Sequence, residues 1–340
     1  MRNSDDRRRL VLNAIIEDYI ATREPVGSKA VARRHNLGVS PATIRNDMAQ
    51  LEEAGLIVQP HTSAGRIPTD SGYRAFVDAI ADIKPLSVPQ RKAIEQILTQ
   101  SVDLDDVVNR AVRLLAQITQ QVAVVQYPSL QRTLLRHIEL VALSKQLILI
   151  VLIANTGRVE QRTVEVEDIL SEESVDLIRK AANEHLVGME MRHLGKKIPA
   201  TLEALPPLIR PAGKIVFTAV AKMLQSEGEE KVVVAGTGNL SRYDYDFAHS
   251  ISPVLDLLEE QVILLRLITQ QEQGINVKIG SENTEEALAE TSIVSTNYGV
   301  DDEADIARLG IIGPTRMDYR GAMAGVYAVA QYLTSILSSE

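Results

Sequence analysis

The sequence predicts a multidomain α+β chain. An N-terminal winged helix-turn-helix is followed by a larger antiparallel-sheet unit that is interrupted in its middle. Three observations carry this reading. Residues 7–68 run helix, helix, turn, helix, hairpin. Apolar runs joined by short polar turns fill residues 122–166. Further strands return near 275–279, 291–298 and 306–312, after several helices, an order that suits one α+β sheet domain.

In the first unit, Leu12, Ile15, Ile16, Tyr19 and Ile20 recur at helical spacing over residues 7–22. A short helix is expected at about 28–35, with Ser28 as its N-cap. Asn36-Leu37-Gly38-Val39 forms the turn, and Gly38 is free to take positive φ. The next helix has Ser40 as N-cap and Pro41 at its first position, a favoured pairing. Ile44, Met48 and Leu51 face the core, and Gly55 ends the helix. LIVQP then reads as a strand, HTSAGR as a turn and IPT as the returning strand.

Pro85 and Pro89 mark a linker. Beyond it the spacing predicts helices at about 90–100 and 104–121, then strands at 122–127, 137–143, 147–154 and 158–166. The turns Ser144-Lys145-Gln146 and Asn155-Thr156-Gly157 make the last three antiparallel hairpins. Ser171 caps a helix to about 187, residues 190–230 read as irregular with a helix near 212–225, and KVVVAG is a strand. A helix over about 253–271 precedes the last strands, and a final helix covers about 316–337.

Apolar residues make up 45% of the 340 residues, which is the composition of a globular chain. There is no cysteine, so disulfides and thiolate metal sites are excluded and a reducing compartment fits. The longest apolar run, LILIVLIA, has eight residues, against roughly 20 for a membrane span. A cytoplasmic protein with no membrane partner is expected. The net charge is −9, yet residues 1–80 carry 11 Lys and Arg against 10 Asp and Glu, leaving −10 to the remainder. The asymmetry makes the N-terminal unit the better site for a polyanion.

The face opposite the apolar stripe of the 41–53 helix carries Ala42, Thr43, Asn46, Ala49 and Gln50, with Arg45 on the flank. Small residues let a helix backbone approach a major groove about 12 Å wide, and amide, hydroxyl and guanidinium groups can read base edges there. Glu52 and Glu53 sit at the far end, where they repel phosphate least. Lys29, Arg33 and Arg34 on the preceding helix are candidates for backbone phosphates, and the HTSAGR loop with Arg66 for a wing. Such shapes also serve as plain packing units, and His61 is more often an ordinary turn residue than a reader of bases.

Other motifs have blander readings. VVVAGTGNLS offers G-x-G-x-x-S where a dinucleotide fingerprint wants a third glycine opening a helix; a tight turn is the better reading. In GPTRMDY, Thr315 can cap the last helix with Asp318 as its capping-box partner. The six histidines are scattered, and Asp301-Asp302-Glu303 lacks calcium-loop spacing. No catalytic, cofactor or metal residue is assigned, and no enzyme is expected.

EPVGSKAV, LGVSPATIRNDMAQLEEAGLI, QPHTSAGRIPTDSGYRAFVD, GTGNLS and GPTRMDY together resemble the HrcA family of heat-inducible transcription repressors. The resemblance runs from about Arg8 to Leu337 and is least marked over 190–230. It implies a winged helix over 1–84, then a GAF-like domain over 85–340 interrupted by an inserted dimerisation domain at roughly 168–245. It also implies a homodimer on an inverted-repeat double-stranded DNA operator of chaperone operons, kept active by the GroE chaperonin. The candidate DNA contacts are Ser28, Lys29, Ser40, Thr43, Arg45, Asn46, Gln50, His61, Thr62, Ser63 and Arg66. The competing expectations are a regulator gated by a small molecule in the GAF-like domain, and an enzyme using the GTGNLS turn.

Overall fold

The computed structural model describes residues 4–61, 64–80, 86–99, 103–128, 133–155, 157–167, 169–225, 231–242, 247, 251–260, 267–268, 274–299 and 307–338. The N-terminal head comprises α1 (Ser4–Thr22), α2 (Ser28–Arg34), α3 (Pro41–Glu53), β1 (Ile57–Val58), β2 (Ile67–Pro68) and α4 (Asp70–Asp78). Val11, Ile15 and Ile16 of α1 are fully buried beside Val31 and Ile44, so α1 is the backbone on which α2 and α3 are packed. Gly38 and Gly55 take φ of 71° and 73°, as their turn positions require. The antiparallel pair β1–β2 gains a bridge from Val26 to Arg66, so the EPVG segment is a third edge of the wing.

The body starts with α5 (Val88–Thr99) and α6 (Leu104–Thr119), which lead into β3 (Val122–Gln126). Pro89 lies in the first turn of α5, where a missing amide costs nothing, and not in a linker; Pro85 falls outside the described residues. Four more strands complete an antiparallel sheet in the order β7-β3-β10-β9-β8: β7 (Val232–Ala235), β8 (Asn276–Ile279), β9 (Thr291–Tyr298) and β10 (Ala307–Pro314). Every residue of β3 is buried, because Ala123 and Val125 meet the helix layer while Val122 and Val124 meet a second core on the other face. That two-sided burial is why the strand reads as a continuous apolar run. The final helix α10 (Tyr319–Ser338) packs on β9 and α6.

Between β3 and β7 the chain leaves this sheet altogether. Among the described residues, β4 (Leu135–Ala142), β5 (Leu147–Ala154) and β6 (Val159–Glu165) form a sheet of their own, in the order β4-β5-β6. Over them lie α7 (Glu172–Leu186), α8 (Leu194–Glu203) and α9 (Arg210–Gln225), enclosing a separate core. On β5, Ile148, Ile150 and Leu152 are buried under these helices, while Leu147, Leu149, Val151 and Ile153 alternate to the other face and stay half-buried. The Ser171 cap is as expected, its hydroxyl accepting from Ser174 N at 3.2 Å.

Several expectations need correction. α8 occupies part of the 190–230 stretch that reads as irregular, and it tolerates Pro199 within it. The helix expected over 253–271 ends at Glu259, since Glu260 is extended with φ −89° and ψ 95°. Ser28 is not the α2 cap: Gly27 holds that position, and Ser28 is buried as the first helical residue. Asp318, not Thr315, caps the last helix, accepting from Gly321 N at 3.1 Å. Thr315 instead offers its carbonyl to the Tyr319 hydroxyl at 2.6 Å.

Candidate nucleic-acid interface

α3 is positioned from three sides. At its start Ser40 is extended, and its hydroxyl accepts from Thr43 N at 3.2 Å. Pro41 supplies the preset φ of the first turn. Underneath, Ile44, Met48 and Leu51 enter the head core. On the side facing α1, Asp47 is also buried, and Arg7 holds its carboxylate from Nε at 2.8 Å and Nη2 at 2.9 Å. This two-point contact raises the Arg7 guanidinium above its ordinary value, the hydrogen bond to Asp47 being the main cause. The pair removes a carboxylate from a surface that would otherwise repel phosphate.

Ala42, Arg45, Asn46, Ala49 and Gln50 are exposed, and Thr43 is half-buried. They form one strip with a single guanidinium, two amides and a hydroxyl, and small side chains between them. Lys29 is exposed on α2, beside exposed Arg33 and Arg34. Arg34 reaches Asp18 at 3.3 Å, and the same carboxylate meets His35 Nε2 at 3.1 Å. Ser28 lies inside, away from this surface.

The wing turn is closed by Ala64 N donating to His61 O at 2.9 Å, with Gln59 Nε2 donating to Ala64 O at 3.1 Å. His61 is exposed at this tip. Thr62 and Ser63 lie outside the described residues. Arg66 stands at the wing's root: its backbone pairs with Val26, and Nη2 donates to Glu52 Oε2 at 2.8 Å. Its charge is thus turned towards the C-terminal end of α3.

Sequence reading missed Arg7, Arg8 and Asp47. The run of three arginines in α1 was their only signal, and nothing local pairs it with residues some 40 positions on.

The GTGNLS turn is a structural tie. Gly236 takes φ 80°, and a Cβ there would lie 2.7 Å from Ala116 Cβ and from Gln121 O. Asn239 Nδ2 donates to the Ala116 and Gln121 carbonyls at 3.3 and 3.0 Å, fastening β7 to the end of α6. A cleft of 530 Å³ lies in the head, lined in part by Arg8, Leu12, Gln50, Leu56 and Asp78. A groove of 480 Å³ lies between β6 and α9. Both are away from the five-stranded sheet. No cluster of metal-ligating side chains occurs among the described residues, and none of their helices is long and apolar enough to cross a membrane.

A bared helix after a helix-turn, flanked by a hairpin wing and carried on a separate body, defines a helix-turn-helix transcription regulator. Residues 13–69 match the DeoR-like helix-turn-helix domain, and residues 105–323 match the family described as HrcA protein C terminal domain. The chain belongs to the HrcA family of heat-inducible transcription repressors. The relative named heat-inducible transcription repressor HrcA in Beutenbergia cavernae is 54% identical, covering 98% of this chain and 99% of its own. Those in Pseudarthrobacter chlorophenolicus and Streptomyces avermitilis are 52% and 51% identical, again over 98% of this chain, and over 99% and 98% of their own. A crystal structure described only as a hypothetical protein shares 25% identity over 98% of both chains, with a TM-score of 0.68.

Proposed function

We propose that the chain acts as a cytoplasmic homodimer that represses chaperone operons by gripping an inverted-repeat operator. The observation that carries this is the strip Ala42, Thr43, Arg45, Asn46, Ala49 and Gln50, exposed except for half-buried Thr43, on a helix that buries Ile44, Asp47, Met48 and Leu51 behind it. Two such helices enter successive major grooves, so the operator is an inverted repeat with half-sites about one helical turn or a multiple apart. Lys29 and Arg33 take phosphates beside each groove, and the tips carrying His61, Thr62 and Ser63 lie along the flanks. Ser40 and Thr43 contribute at the N-terminus of α3, where the helix dipole favours phosphate. Arg66 steadies the wing from its root.

The five-stranded sheet with its helices is the GAF-like unit, and the excursion from β4 to α9 is the inserted dimerisation domain. The half-buried apolar stripe Leu147, Leu149, Val151 and Ile153 supports this, because it is a face that a second copy can cover. The GroE chaperonin keeps the repressor active, and unfolded clients drain that help during heat. Such a switch needs only competition for a helper and no small-molecule signal. Footprinting on genomic DNA, with and without purified chaperonin, tests the reading. A symmetric footprint upstream of chaperone operons that strengthens with chaperonin supports it. An asymmetric single-site footprint indifferent to chaperonin overturns it.

A further inference from the structure

Gln50 stands on the exposed strip of α3 with one of its two hydrogen-bonding functions already occupied. Arg8 Nη1 donates to Gln50 Oε1 at 2.9 Å. A guanidinium offers donors only, so the atom it meets must be the amide oxygen, and the orientation of the amide follows from that chemistry. Nη2 of the same guanidinium donates to Asp5 Oδ1, one turn back on α1. The adjacent Arg7 grips Asp47, one turn before Gln50 on α3. The N-terminal turn of α1 is therefore held in register against the flank of α3 where Gln50 projects.

The consequence is chemical. An unconstrained glutamine reads adenine with both functions, donating to N7 and accepting from N6. Here the oxygen gives one of its two lone pairs to Arg8, which leaves a weaker acceptor beside a cation that repels a second donor, while the amino group keeps its hydrogens for a base. Turning the amide over would break a charge-assisted bond, which is the stronger kind. Guanine offers two acceptors, N7 and O6, on its major-groove edge, and adenine pairs N7 with a donor. We propose that Arg8 is a specificity-determining residue: by engaging and polarising Gln50 Oε1 it biases Gln50 towards donating, so that the residue favours guanine over adenine. The proposal rests on α3 being the groove reader, as set out above.

The test is selection from a randomised duplex library by the full-length chain and its variants. At one base pair in each half-site the unmodified protein enriches guanine, and Gln50→Ala erases that preference. Arg8→Ala moves the same position towards adenine by about tenfold in the adenine-to-guanine ratio, the size of one good base contact. Other positions stay as they were. Arg8→Met, which keeps the aliphatic stem, carries the same expectation should the alanine variant fold poorly. If the Arg8 variants keep every base preference and merely flatten the salt dependence, Arg8 is a phosphate contact and the proposal is overturned. If Gln50→Ala changes nothing while Asn46→Ala or Arg45→Ala does, the proposal falls and groove reading by α3 stands. If none of these α3 variants changes any preference, that reading falls as well.

Discussion

Arg74 of the head and Glu282 of the body meet in a charge pair, Arg74 Nε donating to Glu282 Oε1 at 2.8 Å across 208 positions of sequence. The pair is the centre of an interlock. Asp70, one turn earlier on α4, accepts from Ser281 N at 2.9 Å and from its hydroxyl at 3.0 Å. Tyr73 packs on Tyr319 with ring centroids 5.6 Å apart, and Arg316 donates to the Ile20 carbonyl of α1. The apolar core runs on without a break from the head into the sheet–helix layer. The angle at which α3 is presented is therefore set by the body.

Arg74→Ala removes the partner of Glu282 and a donor to the Val277 carbonyl. It should lower unfolding stability by about 1–2 kcal/mol, read by denaturant titration. Operator affinity should fall too, since the head is freed from its fixed angle.

Acid should weaken the same contact. Burial pushes Glu282 up, but the Arg74 guanidinium and the Ile279 amide outweigh it and hold the carboxyl below its usual range. A lowered folded value means the stabilisation is complete above the unfolded carboxylate's pKa, about 4.3. It is lost as the pH falls through the lower folded value. Melting curves of the unmodified chain and Glu282→Gln should differ most near neutrality and converge in acid.

Gly72 sits in α4 where a Cβ would lie 2.0 Å from the Leu56 carbonyl oxygen. That oxygen belongs to backbone entering β1 and cannot step aside alone. Gly72→Ala should destabilise the head by about 3 kcal/mol, seen as an earlier thermal transition and a loss of DNA binding.

Arg45→Ala and Asn46→Ala should each cost about 1–3 kcal/mol of specific binding if each reads a base. Lys29→Ala should weaken matched and scrambled duplexes alike and lower the salt slope by about one. Gel shifts on both duplexes separate the two classes. Equal loss on both by the Arg45 variant would remove it from base reading.

Val151→Lys places a charge in the middle of the half-buried β5 stripe. Sedimentation should show monomers with unchanged secondary structure, and operator binding should drop with the loss of the second head. A dimer that survives the change would move the seam elsewhere.

The local chemistry of α3 was legible because each signal lies within a few residues: Ser40 and Pro41 at the start, a 3.6-residue stripe, Gly55 at the stop. β5 and its hairpin partners β4 and β6 were legible as strands, yet their separation from the other sheet was not, because a hairpin looks the same whichever sheet it joins. The resemblance implies an inserted domain at roughly 168–245, while the separate three-stranded sheet begins at Leu135. α8 was hidden by Pro199, which normally argues against a helix interior. The pairs Arg7–Asp47, Arg8–Gln50 and Arg74–Glu282 join residues 40, 42 and 208 positions apart, beyond any periodicity. Of the candidate strip, geometry groups Thr43, Arg45, Asn46 and Gln50 and sets Ser28 and Arg66 apart from it.

Gln126 and Val232 are cross-strand partners, and Tyr127 N still donates to Lys231 O at 2.8 Å. The whole excursion thus departs and comes home at neighbouring positions of one ladder, so to the sheet it is no more than an oversized hairpin turn. Nature could enlarge, trim or exchange that appendage through a single pair of adjoining junctions, leaving the parent scaffold's folding code untouched. In the proposed dimer, the spacing between two heads is then an adjustable trait, free to drift with operator geometry while the machinery that reads bases stays as it is.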